Sequence, residues 1–307
     1  MRSRPIGSLR VSVVGLGCNN FGGRLDRAGS TEVVRAALDA GITFFDTADI
    51  YGGTRSEVFL GAALGARRDD VVVATKFGME VGPDRRGARP EYVRRALEDS
   101  LRRLGTGHVD LYQLHLPDPE TPIADTLAAL DDCVRAGLVR EIGCSNFSAA
   151  QVAEATAAVS EGAARFVSVQ NEYSLLHRGP ERDVLPECER LGLSFVPYFP
   201  LASGLLTGKY HRGQPPPSGT RLAGMAPERR AALLSDHNLE VVERLSAYAR
   251  DHAHDTASLA IAWTLARRPV ASVIAGAMTP DQVRVNAAAA DIELAQDAVE
   301  EIDALTV

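Results

Sequence analysis

Eight short apolar runs alternate with longer amphipathic segments along this chain, and that alternation restricts its fold more than any other feature. The runs are Val11–Leu16, Thr43–Phe45, Val71–Ala74, Val109–Leu114, Val139–Ile142, Phe166–Val169, Ser194–Val196 and Ser272–Ile274. They are rich in Val, Ile and Phe and lack polar alternation, the character of strands buried on both faces of a parallel sheet. Helical spacing marks the segments Thr31–Ala40, Ser56–Leu64, Pro90–Leu104, Ile123–Ala136, Ser148–Val159, Glu181–Leu191 and Thr256–Ala266, with a further helical segment around Asp297–Leu305. Some open on cap signals, such as Ser30-Thr31-Glu32 and Ser148 before Gln151. Others stop at glycine, as at Gly41 and Gly137.

Eight strands in β/α alternation predict an α/β fold closed into a (β/α)8 TIM barrel, a single domain spanning residues 1–307. A doubly wound sheet fits less well. Gly15-Leu16-Gly17 runs into Cys18-Asn19-Asn20-Phe21-Gly22-Gly23, not G-x-G-x-x-G, and no composition break marks a second domain. One connection is out of pattern: residues from Phe199 to about Asp236, holding Pro215-Pro216-Pro217-Ser218-Gly219. Connections beyond about 12–15 residues are usually functional or disordered. This one follows the seventh strand, on the carboxyl side where a barrel keeps its active site, so a lid is expected.

The formal net charge of -7 opposes nucleic-acid phosphates, and the arginine pairs Arg67-Arg68, Arg102-Arg103 and Arg267-Arg268 are scattered along the chain. No apolar run follows the charged start, and no stretch approaches the roughly 18 apolar residues of a membrane helix. Cys18, Cys133, Cys144 and Cys188 have no Cys-x-x-Cys spacing, so free thiols in a reducing cytoplasm are expected and a metal site is not.

In a barrel, residues just past the strand carboxyl ends converge on one face. Asp46 ends the second strand and Tyr51 follows five residues later; Lys76 ends the third and His115 the fourth. A phenol with an ordinary pKa near 10 is a poor proton carrier at neutral pH. A neighbouring ammonium is expected to lower that value, and a carboxylate to hold the ammonium charged and oriented. His115 would hydrogen-bond and polarise a substrate carbonyl. Singly, each residue has an ordinary reading as a cap, a packed ring, a strand end or a core histidine. Their joint placement at the ends of consecutive strands favours chemistry.

The segment Ile42-Thr43-Phe44-Phe45-Asp46-Thr47-Ala48-Asp49-Ile50-Tyr51-Gly52 resembles a signature of the aldo-keto reductases. Leu114-His115 with Pro117-Asp118-Pro119 and Thr121-Pro122, followed by Gly143-Cys144-Ser145-Asn146-Phe147, resembles a second. Gln170-Asn171-Glu172-Tyr173 and Pro200-Leu201-Ala202-Ser203-Gly204-Leu205-Leu206-Thr207-Gly208-Lys209-Tyr210 also match, the latter as in the bacterial and channel-β-subunit-like branches. The resemblance runs in order along nearly the whole chain. It implies metal-free hydride transfer between a nicotinamide cofactor and a carbonyl or alcohol. It implies further that Tyr51 is the general acid, tuned by Lys76 and Asp46, and that His115 orients the carbonyl.

The resemblance also implies a cofactor site. Ser145, Asn146 and Gln170 match residues that hold the nicotinamide carboxamide, and Tyr198 matches the aromatic stacked on its ring. Leu201, Ser203 and Lys209 match a pyrophosphate cradle, with Arg221 similar to a lid arginine; Gly276, Gln282 and Asn286 match the adenosine end. From the residues alone, Ser145-Asn146 reads equally as a helix cap, Tyr198 as core and Lys209 as a surface lysine. NADPH is the implied cofactor, with NAD not excluded. The chain departs from the pattern at Gly276-Ala277-Met278-Thr279, which offers no cation for a 2′-phosphate, and at Val285, which stands for a frequent glutamate. Thr279, Gln282 and the helix start at Pro280 are left to supply donors.

The expected activity is reduction of an aldehyde or ketone. A cofactor-loaded binding or redox-sensing subunit is the second expectation, and a cofactor-free lyase or isomerase the third. Substrate contacts are expected from Asn19–Leu25, Phe77–Arg89 and the lid, with no long tail after Val307 to add to them. The oligomeric state is not readable from the sequence.

Overall fold

The computed structural model describes residues 1–306. Its strands are β1 (Ser3–Ile6), β2 (Leu9–Ser12), β3 (Val14–Gly17), β4 (Phe44–Asp46), β5 (Val72–Phe77), β6 (Val109–Leu114), β7 (Val139–Ser145), β8 (Phe166–Gln170), β9 (Ser194–Phe195) and β10 (Val273–Gly276). The helices are α1 (Arg27–Asp39), α2 (Arg55–Leu64), α3 (Pro90–Leu104), α4 (Ile123–Arg135), α5 (Ala149–Ala157), α6 (Val184–Leu191), α7 (Pro227–Leu233), α8 (Asp236–Asp251), α9 (Thr256–Leu265), α10 (Pro280–Ala288) and α11 (Gln296–Ala304).

Eight strands form one parallel sheet in the order β10-β3-β4-β5-β6-β7-β8-β9. Its two edges meet through the backbone: Phe195 N–H donates to Pro269 O at 2.6 Å, Ala271 N–H to Phe195 O at 3.0 Å and Ile274 N–H to Pro197 O at 3.2 Å. The sheet is thereby closed as a TIM barrel. Every residue of β5 and β6 is buried, because helices cover the outer face and side chains fill the inside.

The first expected run, Val11–Leu16, proves to be two elements. Leu9–Ser12 pairs antiparallel with Ser3–Ile6 in a hairpin, and the barrel strand starts only at Val14. Both pieces are apolar for separate reasons. Ile6, Leu9 and Val11 pack with Phe44, Val72, Ala74 and Leu111, so the hairpin plugs the amino-terminal end of the barrel. Removing that floor from water helps fix the interior layers on which the carboxyl-end residues stand.

Helix boundaries differ in places from those expected. Helix α1 begins at Arg27, capped by the Asp26 carboxylate on Gly29 N–H; Ser30 lies inside it and bonds back to Asp26 O. The Ser148 start is a full capping box with Gln151, as expected. Helix α8 was not anticipated, although the Ser235 cap and buried Leu239, Val242, Leu245 and Ala249 carry its signal. The expected lid is not bare loop either: it holds a 3-10 turn at Ala202–Thr207 and α7, none of whose residues is buried. No helix among the described residues is long and apolar enough to cross a membrane.

Candidate active site

Strand carboxyl ends and the segments after them line one open cavity of about 940 Å3. Among its walls are Asp46, Tyr51, His115, Ser145, Asn146, Gln170, Tyr198, Leu201, Ser203, Lys209, Arg221, Gly276, Gln282 and Asn286. Lys76 is not on the wall; it is fully buried in β5, behind Tyr51. The barrel thus gathers residues spread from position 46 to position 286 around one opening.

Lys76 has three N–H donors, and each has a partner. Its Nζ donates to Asp46 Oδ1 at 2.5 Å, to Thr47 O at 2.9 Å and to the Tyr51 hydroxyl at 3.4 Å. The other Asp46 oxygen accepts from Gln113 Nε2 at 3.1 Å and from Gln170 Nε2 at 2.8 Å. A buried ion pair is stable only when its remaining lone pairs and protons are satisfied, and here they are. Gln113 is a site residue that the sequence reading missed. Its signal was its position, two residues before His115 and therefore on the same face of β6.

Burial lowers the Lys76 pKa, but the Asp46 carboxylate and, after it, Tyr51 together more than reverse this and leave it above the ordinary lysine value. For Tyr51, burial raises the phenol above its ordinary value of 10, and Lys76 pulls it only part of the way back. The expected lowering of this pKa is therefore corrected: in the folded site desolvation outweighs the ammonium. The result is a phenol that keeps its proton at neutral pH.

The His115 and Tyr51 rings meet edge to face, with centroids 5.8 Å apart. Burial, helped by the Lys76 charge, lowers the His115 pKa to about 3, so the imidazole is neutral. Its Nδ1 is buried without a hydrogen-bond partner among the described residues. A neutral ring carries one N–H, which suits donation to a carbonyl oxygen.

Asn146 bridges the walls that carry His115 and Tyr198. Its Nδ2 donates to His115 O at 2.9 Å and to Ser145 Oγ at 3.0 Å, while its Oδ1 accepts from the Tyr198 hydroxyl at 2.7 Å. A φ of 61° at Asn146, tolerable for an asparagine, turns this side chain inward. The cap reading of Ser145-Asn146 fails, since Ser148 caps α5 and Ser145 Oγ bonds Gln170 O at 2.8 Å. Tyr198 is half-buried against the cavity rather than in the core. Gly52, next to Tyr51, has φ 59°, and a Cβ there would stand 2.2 Å from Phe21 O, so only glycine lets this turn pack.

Three cations face the cavity from the first loop and the lid: Arg24, Lys209 and Arg221. Arg24 donates to Gly219 O in the lid at 2.9 Å, and lid residue Arg221 reaches back to Asn20 Oδ1 at 2.7 Å and Asn19 Oδ1 at 3.2 Å. Three hydrogen bonds from these two arginines therefore strap the lid to the loop after β3. Burial, and then repulsion from Arg24, lowers the pKa of both Lys209 and Arg221. Of the loops expected to touch substrate, residues 19, 20 and 24 and the lid line the cavity; nothing from 77–89 does.

A buried-lysine, carboxylate and tyrosine chain opening on a cavity at the carboxyl end of a (β/α)8 barrel defines an oxidoreductase-like site. The chain belongs to the aldo/keto reductase family, whose model matches residues 13–307. It is 39% identical over 302 residues to "Uncharacterized oxidoreductase YrpG" of Bacillus subtilis (strain 168), covering 93% of this chain and 89% of that protein. It is 35% identical over 306 residues to "Probable voltage-gated potassium channel subunit beta" of Oryza sativa subsp. japonica, covering 97% and 93%. It is 34% identical over 300 residues to "Probable aldo-keto reductase 1" of Glycine max, covering 95% and 84%.

Proposed function

We propose that the protein is a carbonyl reductase of the alcohol dehydrogenase type, acting on a small aldehyde or ketone with a nicotinamide dinucleotide. The observation that carries this reading is the Asp46–Lys76–Tyr51 chain, whose far end is a protonated phenol beside a neutral imidazole. The cavity also suits the cofactor. Arg24, Lys209 and Arg221 line it with no carboxylate paired to them among the described residues, as a pyrophosphate requires. Ser145, Asn146 and Gln170 would hold the carboxamide, Tyr198 would stack on the ring, and Leu201 and Ser203 would line the pyrophosphate beside those cations. Gly276, Gln282 and Asn286 would meet the adenosine.

Bound there, the reduced nicotinamide supplies the hydride. Tyr51 gives its proton to the carbonyl oxygen as charge develops on that atom, and Lys76 stabilises the phenolate left behind. Asp46, anchored by Gln113 and Gln170, keeps the ammonium charged and aimed. His115 donates its N–H to the same oxygen and fixes the carbonyl between itself and Tyr51. NADPH is the cofactor that the resemblance implies.

The channel-subunit name carried by one relative favours a second reading, a cofactor-loaded binding or redox-sensing subunit with little turnover. Steady-state oxidation of NADPH and NADH against a panel of aldehydes and ketones separates the two. Turnover well above the cofactor-only rate supports the reductase. Tight cofactor binding with a single turnover and no steady state supports the sensor.

A further inference from the structure

An extended dinucleotide whose nicotinamide lies beside Tyr51 and His115 must put its adenosine at the other end of the cavity. There the walls are Asp255 and Ala257 near the start of α9 and Met278, Asp281, Gln282, Val285 and Asn286 around the start of α10. This placement rests on the cofactor reading above. The start of α10 resembles an anion site, but two of its amides are already held by its own side chains. Gln282 Oε1 accepts the Met278 N–H at 2.8 Å, and Thr279 Oγ1 accepts the Gln282 N–H at 3.3 Å. The Val283 N–H is bound by Thr279 O at 3.3 Å, and Pro280 has no N–H to offer. A phosphate would have to break these bonds to be held.

The charges point the same way. Among the described residues, the three cations of the cavity wall lie in the loop after β3 and the lid, and the charged walls at the adenosine end are the carboxylates of Asp255 and Asp281. Asp255 is engaged as the cap of α9, on Ser258 N and Ser258 Oγ. Asp281 is 90% exposed and holds Arg284, the one cation nearby on α10, in an ion pair. Met278 lines the wall without a charge. A carboxylate accepts a hydrogen bond from a ribose 2′-hydroxyl, and it repels a phosphate carrying nearly two negative charges.

We propose that this adenosine end selects the free 2′-hydroxyl, so that the protein binds NADH more tightly than NADPH, with Asp281 and Met278 as the specificity determinants. The margin is modest because the carboxylate is exposed and screened, roughly three- to tenfold in Kd. Asp281→Asn removes the repulsion and releases Arg284 toward a phosphate, so it should bring NADPH level with NADH or ahead of it.

Fluorescence titration of NADH and NADPH into the parent and Asp281→Asn tests this without turnover, with 5′-AMP and 2′,5′-ADP as competing adenosine fragments. The proposal expects NADH to bind more tightly to the parent, 5′-AMP to compete better than 2′,5′-ADP, and both orders to be lost or inverted in the variant. A parent that binds both dinucleotides but prefers NADPH overturns the proposal and leaves the cavity assignment standing. A parent that binds neither overturns the cavity assignment itself. An unchanged NADH preference in Asp281→Asn removes Asp281 as the determinant.

Discussion

At the Tyr51 end of the cavity, Lys76 and Asp46 are 0% and 2% exposed, and their donors and acceptors are satisfied by the protein. At the α10 end, Asp281 and Arg284 are 90% and 65% exposed and pair with each other. The same kind of ion pair therefore does different work in the two places. Buried, it fixes an ammonium against the Tyr51 hydroxyl, and losing one partner strands the other away from water. Exposed, it is screened and rearranges easily, so it tunes a preference without setting a geometry. Substitutions should cost much at the first end and little at the second.

The largest effect is expected for Lys76→Met. Leaving the Asp46 carboxylate without its partner should lower stability by about 3–5 kcal/mol, read from denaturant unfolding, and abolish most reduction. Combined with Asp46→Asn, the losses should fall well short of additive, because both changes break one unit. Simple additivity would mean that the buried pair is not one device.

Asp49 sharpens the comparison, being buried like Asp46 but in no ion pair among the described residues. Burial, reinforced by Glu57, raises its pKa to about 7, and the pull of Arg103 and of the Ile50 backbone N–H offsets this only in part. The native state thus holds this proton up to about pH 7, whereas an unfolded aspartate loses it near 3.9. Between those values the native state binds the extra proton, so this group's contribution to stability falls as pH rises through that window. Asp49→Asn should therefore stabilise the protein at pH 8 and do so much less at pH 4. Unfolding midpoints for parent and variant at both pH values check this; an equal difference at the two would show that Asp49 does not titrate in the window.

The pH profile of reduction should be plain. His115 at about 3 and a Tyr51 raised above 10 leave no titration of either group between pH 5 and 9. The rate should be flat through 6.5, the ordinary histidine value, and fall only above about 10 as the phenol loses its proton. A limb near 6.5 traced to His115 would contradict the neutral buried imidazole. The smallest effect belongs to the exposed end. Met278→Arg should tighten NADPH by about tenfold, the worth of one charge-assisted bond, and leave NADH nearly unchanged. Equal tightening of both would show that residue 278 does not face the 2′ position.

The division between buried and exposed also decides what the sequence disclosed. The eight barrel strands were legible because burial on both faces leaves unbroken apolar runs, and Asp46, Lys76 and His115 were legible because they stand at the ends of such runs. The same criterion fused β2 with β3, since the hairpin floor is as apolar as the strand it precedes. Gln113 escaped because it lies inside a strand. The lid strap escaped because Arg24 and Gly219 are 195 residues apart, and only the closed barrel brings them together. The direction of the Tyr51 shift escaped for a related reason: Lys76 is visible in the sequence, but the desolvation that outweighs it belongs to the fold.

The central claim is that Tyr51, positioned by Lys76, delivers the proton. Tyr51→Phe tests it most directly, because the substitution removes the transferable proton and, beside it, only the long 3.4 Å hydrogen bond accepted from Lys76. Reduction of the best carbonyl substrate should be measured on variant and parent, with cofactor affinity and unfolding midpoint taken on the same samples. The account predicts a loss of about 10²–10⁴-fold in kcat/KM, with cofactor Kd and stability close to the parent's. A folded, cofactor-binding variant that reduces the substrate within about twofold of the parent would contradict it, since losing even one hydrogen bond usually costs more than that.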